Sequence, residues 1–173
     1  HLVQQKCPNI YEASFKHGNL MCMVDILHFN ESSWDIIEVK SSTQYKAEHL
    51  NDLAFQYAVL KACGLKIDRI LLLVINNQYI RGQSLNLEEY FNIKDLSEDV
   101  LAQQDSLQNR LHSLSEKVSL KQEPNIAIGE QCLKPYPCDA KAYCWKGLER
   151  NTVFQLTHLS WKQRFELYNQ GYK

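Results

Sequence analysis

The segment WDIIEVKSSTQYKAEHLNDLAFQYAVLKACGLKIDRILLLVI, residues 34–75, decides the fold. Its opening, WDIIEVK (34–40), is short, apolar and rich in β-branched side chains, which reads as a strand. Over residues 46–63, Leu50, Leu53, Ala54, Tyr57 and Leu60 recur at three-to-four spacing, and Gly64 supplies a stop. RILLLVI (69–75) is an unbroken apolar run of strand length, the pattern of a strand buried on both faces. Strand, amphipathic helix and buried strand make a βαβ unit, which predicts parallel strands joined by a right-handed crossover.

Working outward, residues 10–15 and 20–29 read as strands joined by the turn-forming KHGN, and NESS (30–33) links the second to WDIIEVK. An antiparallel meander therefore feeds the parallel unit, predicting an α/β fold with a mixed sheet. Residues 97–120 read as a long helix with Leu107, Leu111, Leu114 and Val118 as its buried stripe. A cysteine-rich stretch, GEQCLKPYPCDAKAYCW, follows, and the tail predicts a short helix ended by Gly171. The division expected is a core over 1–125 and a cysteine-rich segment with tail over 126–173.

The 173 residues carry a net charge of −1. Near-neutrality argues against a protein that simply coats nucleic acid, less so against a nuclease, whose metal site is itself acidic. No apolar run reaches the length of a membrane span, so no membrane partner is expected. The chain opens on His1 rather than Met and reads as a fragment; nothing signals export. The six cysteines then point to a reducing, cytoplasmic setting rather than to three disulfides.

Two acids interrupt the strands. If Phe29 faces Trp34 across the NESS turn, Asp25 falls opposite Glu38, with Lys40 on the same face. Opposed Cβ atoms are about 5 Å apart, and two carboxylates so placed repel by about 4 kcal/mol at an effective dielectric of about 20. Lys40 offsets part of this, and a divalent cation such as Mg²⁺ or Mn²⁺ would offset all of it. Such an ion activates water and stabilises charge on a phosphodiester. The competing reading is a solvated face where Asp25 and Glu38 pair with lysines.

Asp25, the Glu38-Val39-Lys40 tripeptide thirteen residues later and a following helix with Gln56 together resemble the PD-(D/E)XK nuclease superfamily. The resemblance implies a restriction-endonuclease-like fold, metal ligation by Asp25, Glu38 and the Val39 carbonyl, and catalytic assistance from Lys40. It also implies substrate contact by Gln56, although Leu60 stands where many members have Tyr in Q-x-x-x-Y. The glutamate or histidine that many members carry on an upstream helix has no counterpart, since Glu12 reads as a strand residue.

Cys132, Cys138 and Cys144 form C-x5-C-x5-C, dense enough to suggest metal ligation. The spacing is wider than zinc knuckles use, favouring an iron–sulfur cluster over Zn²⁺ without deciding it. A fourth ligand would be Cys7, Cys22, Cys63 or a cysteine outside the chain, with Cys7 the freest. Core first and three cysteines after resembles the 4Fe–4S-containing exonucleases of the CRISPR spacer-acquisition type. Residues 10–160 are also similar to an uncharacterised bacterial domain family in that superfamily, which implies a first cysteine upstream of His1 and a structural cluster.

The function expected is thus Mg²⁺- or Mn²⁺-dependent hydrolysis of DNA, single-stranded or at ends. The alternatives are an inactive nucleic-acid-binding scaffold and a zinc-stabilised interaction module. His49 and Asp52 share a helical stripe with Gln56, but a solvated face is the expectation for them. Ser41, Ser42 and Thr43 are expected to cap the helix, and Trp145 and Tyr136 to pack around the cysteines rather than stack on bases.

Overall fold

A computed structural model describes residues 1–148 and 151–172, and the chain divides into two compact units, His1–Ser119 and Leu120–Lys173. The first is an α/β unit built on a five-stranded mixed sheet in the order β1-β2-β3-β4-β5. These strands are Asn9–His17, Leu20–Phe29, Trp34–Lys40, Ile67–Ile75 and Phe91–Asp95. The pair β3–β4 is parallel and the other three pairs are antiparallel. Helix α1, Ala47–Ala62, makes the crossover expected between the parallel strands.

Helix α1 starts and stops for local reasons. Its N-cap, Lys46, contributes no side-chain hydrogen bond, but its backbone N–H donates to His49 Nδ1 at 3.3 Å. The serines and threonine expected to cap it do not: Ser42 instead donates to the Gln44 carbonyl. At the far end Gly64 adopts φ +85°, a conformation that costs other residues strain, and the Gly64 and Leu65 amides close on Lys61 and Leu60. Leu53, Ala54, Val59 and Leu60 are fully buried. Each large side chain contributes about 2 kcal/mol by leaving water. They pack with Val24, Leu27, Ile36, Ile70 and Leu72 of the sheet.

Beyond β4 the structure departs from the pattern read in sequence. Residues 87–95, to which the sequence pattern assigned no element, form a one-turn helix, α2 (Leu87–Tyr90), and the edge strand β5. The single helix expected over 97–120 is two, α3 (Ser97–Ala102) and α4 (Gln104–Val118), separated at Gln103. Its buried stripe is shorter than expected: Leu107 is buried and Leu111 half-buried, whereas Leu114 and Val118 are exposed. The periodicity was right for a helix but ran beyond the surface that covers it.

Among its described residues the second unit contains two 3₁₀ turns, Glu130–Cys132 and Val153–Gln155, and helices α5 (Lys141–Cys144) and α6 (Trp161–Asn169). Ser160 caps α6 by accepting from the Gln163 amide, and Gly171 follows it at φ +89°. Its core is aromatic: Phe154 lies 4.7 Å from Trp145 and 5.1 Å from both Phe165 and Tyr168, centroid to centroid. Among the described residues no helix is long and apolar enough to cross a membrane.

Candidate active site at the splay of two strands

Asp25 marks the point where the ladder of β2 to β1 skips a pair and its ladder to β3 ends. On one side, the ladder to β1 passes from Tyr11↔Ile26 to Ala13↔Val24 and skips the pair Glu12 and Asp25. The pleat loses phase there, because Ile10 and Ala13, and likewise Val24 and Leu27, are buried at a spacing of three rather than two. Glu12 takes φ +51°, in the left-handed region, while the register stays the same on either side of it. On the other side, β2 and β3 keep the expected register from Phe29↔Trp34 to Ile26↔Ile37, and the ladder then ends. Asp25 and Glu38 are therefore not a ladder pair. The Asp25 carboxylate instead accepts the Val39 backbone N–H at 2.8 Å, taking a place that strand pairing leaves open.

One residue earlier on β3, Glu38 is almost completely buried. Gln56 Nε2 donates to its Oε2 at 2.8 Å, and Lys40 Nζ meets its Oε1 at 2.5 Å. Burial, the largest influence, raises the Glu38 carboxyl above its ordinary value. The hydrogen bonds from Gln56 and Lys40 pull it back, and the charge of Asp25 pushes it up again. Burial alone would depress the Lys40 ammonium, but its bonds to Glu38 and Asp52 reverse that and raise it.

The stripe His49, Asp52, Gln56 of α1 faces this end of β3, contrary to the solvated face expected for it. His49 and Gln56 are buried. Asp52 receives Lys40 Nζ at 3.0 Å on Oδ2 and Gln56 Nε2 at 3.4 Å on Oδ1. Burial, then the charges of Lys40 and Lys46, depress His49, and its Nδ1 accepts the Lys46 amide. Gln56 Oε1 is buried without a hydrogen-bond partner. Asp25, Glu38, Lys40 and Gln56 thus form one connected locus, to which the structure adds Asp52. Its i, i+4 relation to Gln56 was the signal available in sequence.

The donors fit a divalent cation. Two carboxylates and the neighbouring Val39 carbonyl are hard oxygen ligands, and Mg²⁺ commonly takes one or two carboxylates while keeping several waters. Glu38 shares the Lys40 ammonium with Asp52 and is repelled by Asp25, and the partnerless Gln56 oxygen offers a further acceptor. Among the described residues no three His, Cys, Asp or Glu side chains gather as a ready-made metal cage.

In the second unit Cys132 is buried, whereas Cys138 and Cys144 are exposed. The Cys138 amide donates to the Cys132 carbonyl at 3.0 Å, and the Lys141 amide to that of Cys138, so one folded loop carries the first two thiols. Cys7 belongs to the first unit, where it packs half-buried against the core. Trp145 packs among Phe154, Trp161 and Phe165 with Lys141 stacked over it, while Tyr136 is exposed. Trp145 therefore anchors an aromatic core.

The sequence matches no family model and no curated protein.

Proposed function

We propose that the first unit is a metal-dependent nuclease of the restriction-endonuclease-like, PD-(D/E)XK type, hydrolysing DNA phosphodiester bonds. The observation that carries this reading is the buried Glu38, bonded to Gln56 and Lys40, with Asp25 beside it where the strands part. Asp25, Glu38 and the Val39 carbonyl would hold Mg²⁺ or Mn²⁺, which when bound acidifies water and polarises the phosphate. Gln56 fixes the Glu38 carboxylate through Nε2. Lys40, an ammonium with three donors, offers a proton to a phosphate oxygen and neutralises charge developing there.

In the second unit, C-x5-C-x5-C is read as a structural 4Fe–4S or zinc site. The support is the density of thiols and the smallness of the core: among its described residues the apolar cluster has only Val153, Phe154 and Phe165 buried. Domains below about 60 residues commonly need a metal or disulfide to stay folded. The cysteines are not gathered as ligands here, and no catalytic step passes through them. Iron, sulfide and zinc analysis of anaerobically purified protein distinguishes the two.

The decisive test is Mn²⁺-dependent loss of single-stranded and duplex-end DNA by the wild type. It is expected to vanish in Glu38→Ala and Asp25→Asn. Equal digestion by the wild type and Glu38→Ala would refute the nuclease reading. A protein that binds DNA but never cleaves it would establish the scaffold alternative, which the closed Glu38–Lys40–Asp52 arrangement favours.

A further inference from the structure

Lys40 Nζ is shared between two carboxylates from different elements, Glu38 Oε1 on its own strand at 2.5 Å and Asp52 Oδ2 on α1 at 3.0 Å. A divalent cation on Glu38 would draw on the same carboxylate charge that Lys40 now draws on, and would repel the ammonium beside it. Metal ligation by Glu38 thus weakens its hold on Lys40, whose flexible four-carbon stem would otherwise let the charge swing away or compete for the site. Asp52 is placed to prevent both. It reaches Lys40 from across the β3–α1 packing and is tied to the locus a second time through Gln56.

We propose that Asp52 is a positioning residue that holds Lys40 off Glu38 when a divalent cation binds, so that the cation and the ammonium occupy the site together. The inference rests on the metal-site reading above. On α1 the role falls to Asp52 because its carboxylate is the one bonded to Lys40. It is half-exposed, so it contributes little to the core and its replacement leaves the fold intact.

The test is Mn²⁺ binding, measured by calorimetric titration of the metal alone, with thermal midpoints recorded for every variant. Asp52→Asn is expected to weaken Mn²⁺ binding about tenfold, the coupling typical of contacting charged groups. Asp52→Glu restores most of it. In a Lys40→Met background, where no ammonium competes, Asp52→Asn is expected to cost at most about twofold. Equal losses in both backgrounds would show that Asp52 acts only through its charge and would overturn the proposal, as would no loss in either. Failure of the underlying reading looks different: the wild type binds no Mn²⁺, or Glu38→Gln binds it as tightly as the wild type, and the inference falls with it.

Discussion

Strand β3 buries two acids three residues apart, Asp35 and Glu38, and they are treated in opposite ways. Asp35 is completely buried where β4 carries one extra residue opposite β3. Its carboxylate is fully engaged: Arg69 donates from Nη2 at 2.6 Å, from Nε at 3.1 Å and from its backbone at 3.2 Å, and Asn30 donates at 2.9 Å. Asn30 also ties the turn before β3 to Asp68. Glu38 has one ammonium, which it shares with Asp52, and one amide whose own oxygen is left without a partner, and it is repelled by Asp25. A buried charge with every lone pair occupied is a structural device. One held in place yet short of positive charge is suited to take up a cation.

The largest effect that would break this comparison lies at Glu38. Glu38→Gln keeps the shape and Gln56 contact of the side chain, and is expected to lower DNA turnover by about a thousandfold, about 4 kcal/mol of barrier. Its thermal midpoint should match or exceed that of the wild type. A large loss of stability would make Glu38 another Asp35.

Next comes Asp35→Ala, which removes the acceptor of the Arg69 guanidinium and backbone amide and leaves the Asn30 amide only Asp68. Because the guanidinium is half-exposed and can rehydrate, the expected cost is at the lower end for a broken buried pair, about 3 kcal/mol in urea unfolding. Mn²⁺ binding per folded molecule should not change.

The smallest effect is a pH dependence. A carboxyl raised by folding binds its proton more tightly in the native state, so its contribution is most favourable at low pH. That contribution declines as pH rises from the ordinary value of 4.5 towards the elevated one. Across that window the stability of the wild type relative to Glu38→Gln should fall with rising pH. A rise would mean that the native state stabilises the ionised form and that the site does not call for a cation.

Much of this was legible in sequence where one pattern dominated. Strands 20–29 and 34–40 and the helix between β3 and β4 follow from apolar periodicity and from Gly64, and these place Glu38, Lys40 and Gln56 together. Strand β5 escaped because it is an edge: Phe91 is half-buried and the other four residues are exposed, which erases the alternation that marks a strand. The break at Gln103 escaped because nothing in the sequence there forbids a helix. At Asp25 the register was readable but its interruption was not, since the carboxylate replaces a backbone partner, which pairing rules do not include. Asp52 was missed for a simpler reason. A charged residue on a helix is usually solvated, and only the buried neighbours His49 and Gln56 show that this stripe faces inward.

The kink at Glu12 has an effect away from chemistry. Strand β1 is a sheet edge, and its outer row of amides and carbonyls would be a template on which a second chain could lie down and zip. A left-handed acidic residue in the middle of that row breaks the template into two shorter pieces, and adds a charge that repels an approaching acidic strand. The distortion that frees Asp25 from its β1 neighbour thus also guards the protein against fibre-like stacking, and straightening it would expose both halves of the molecule's edge at once.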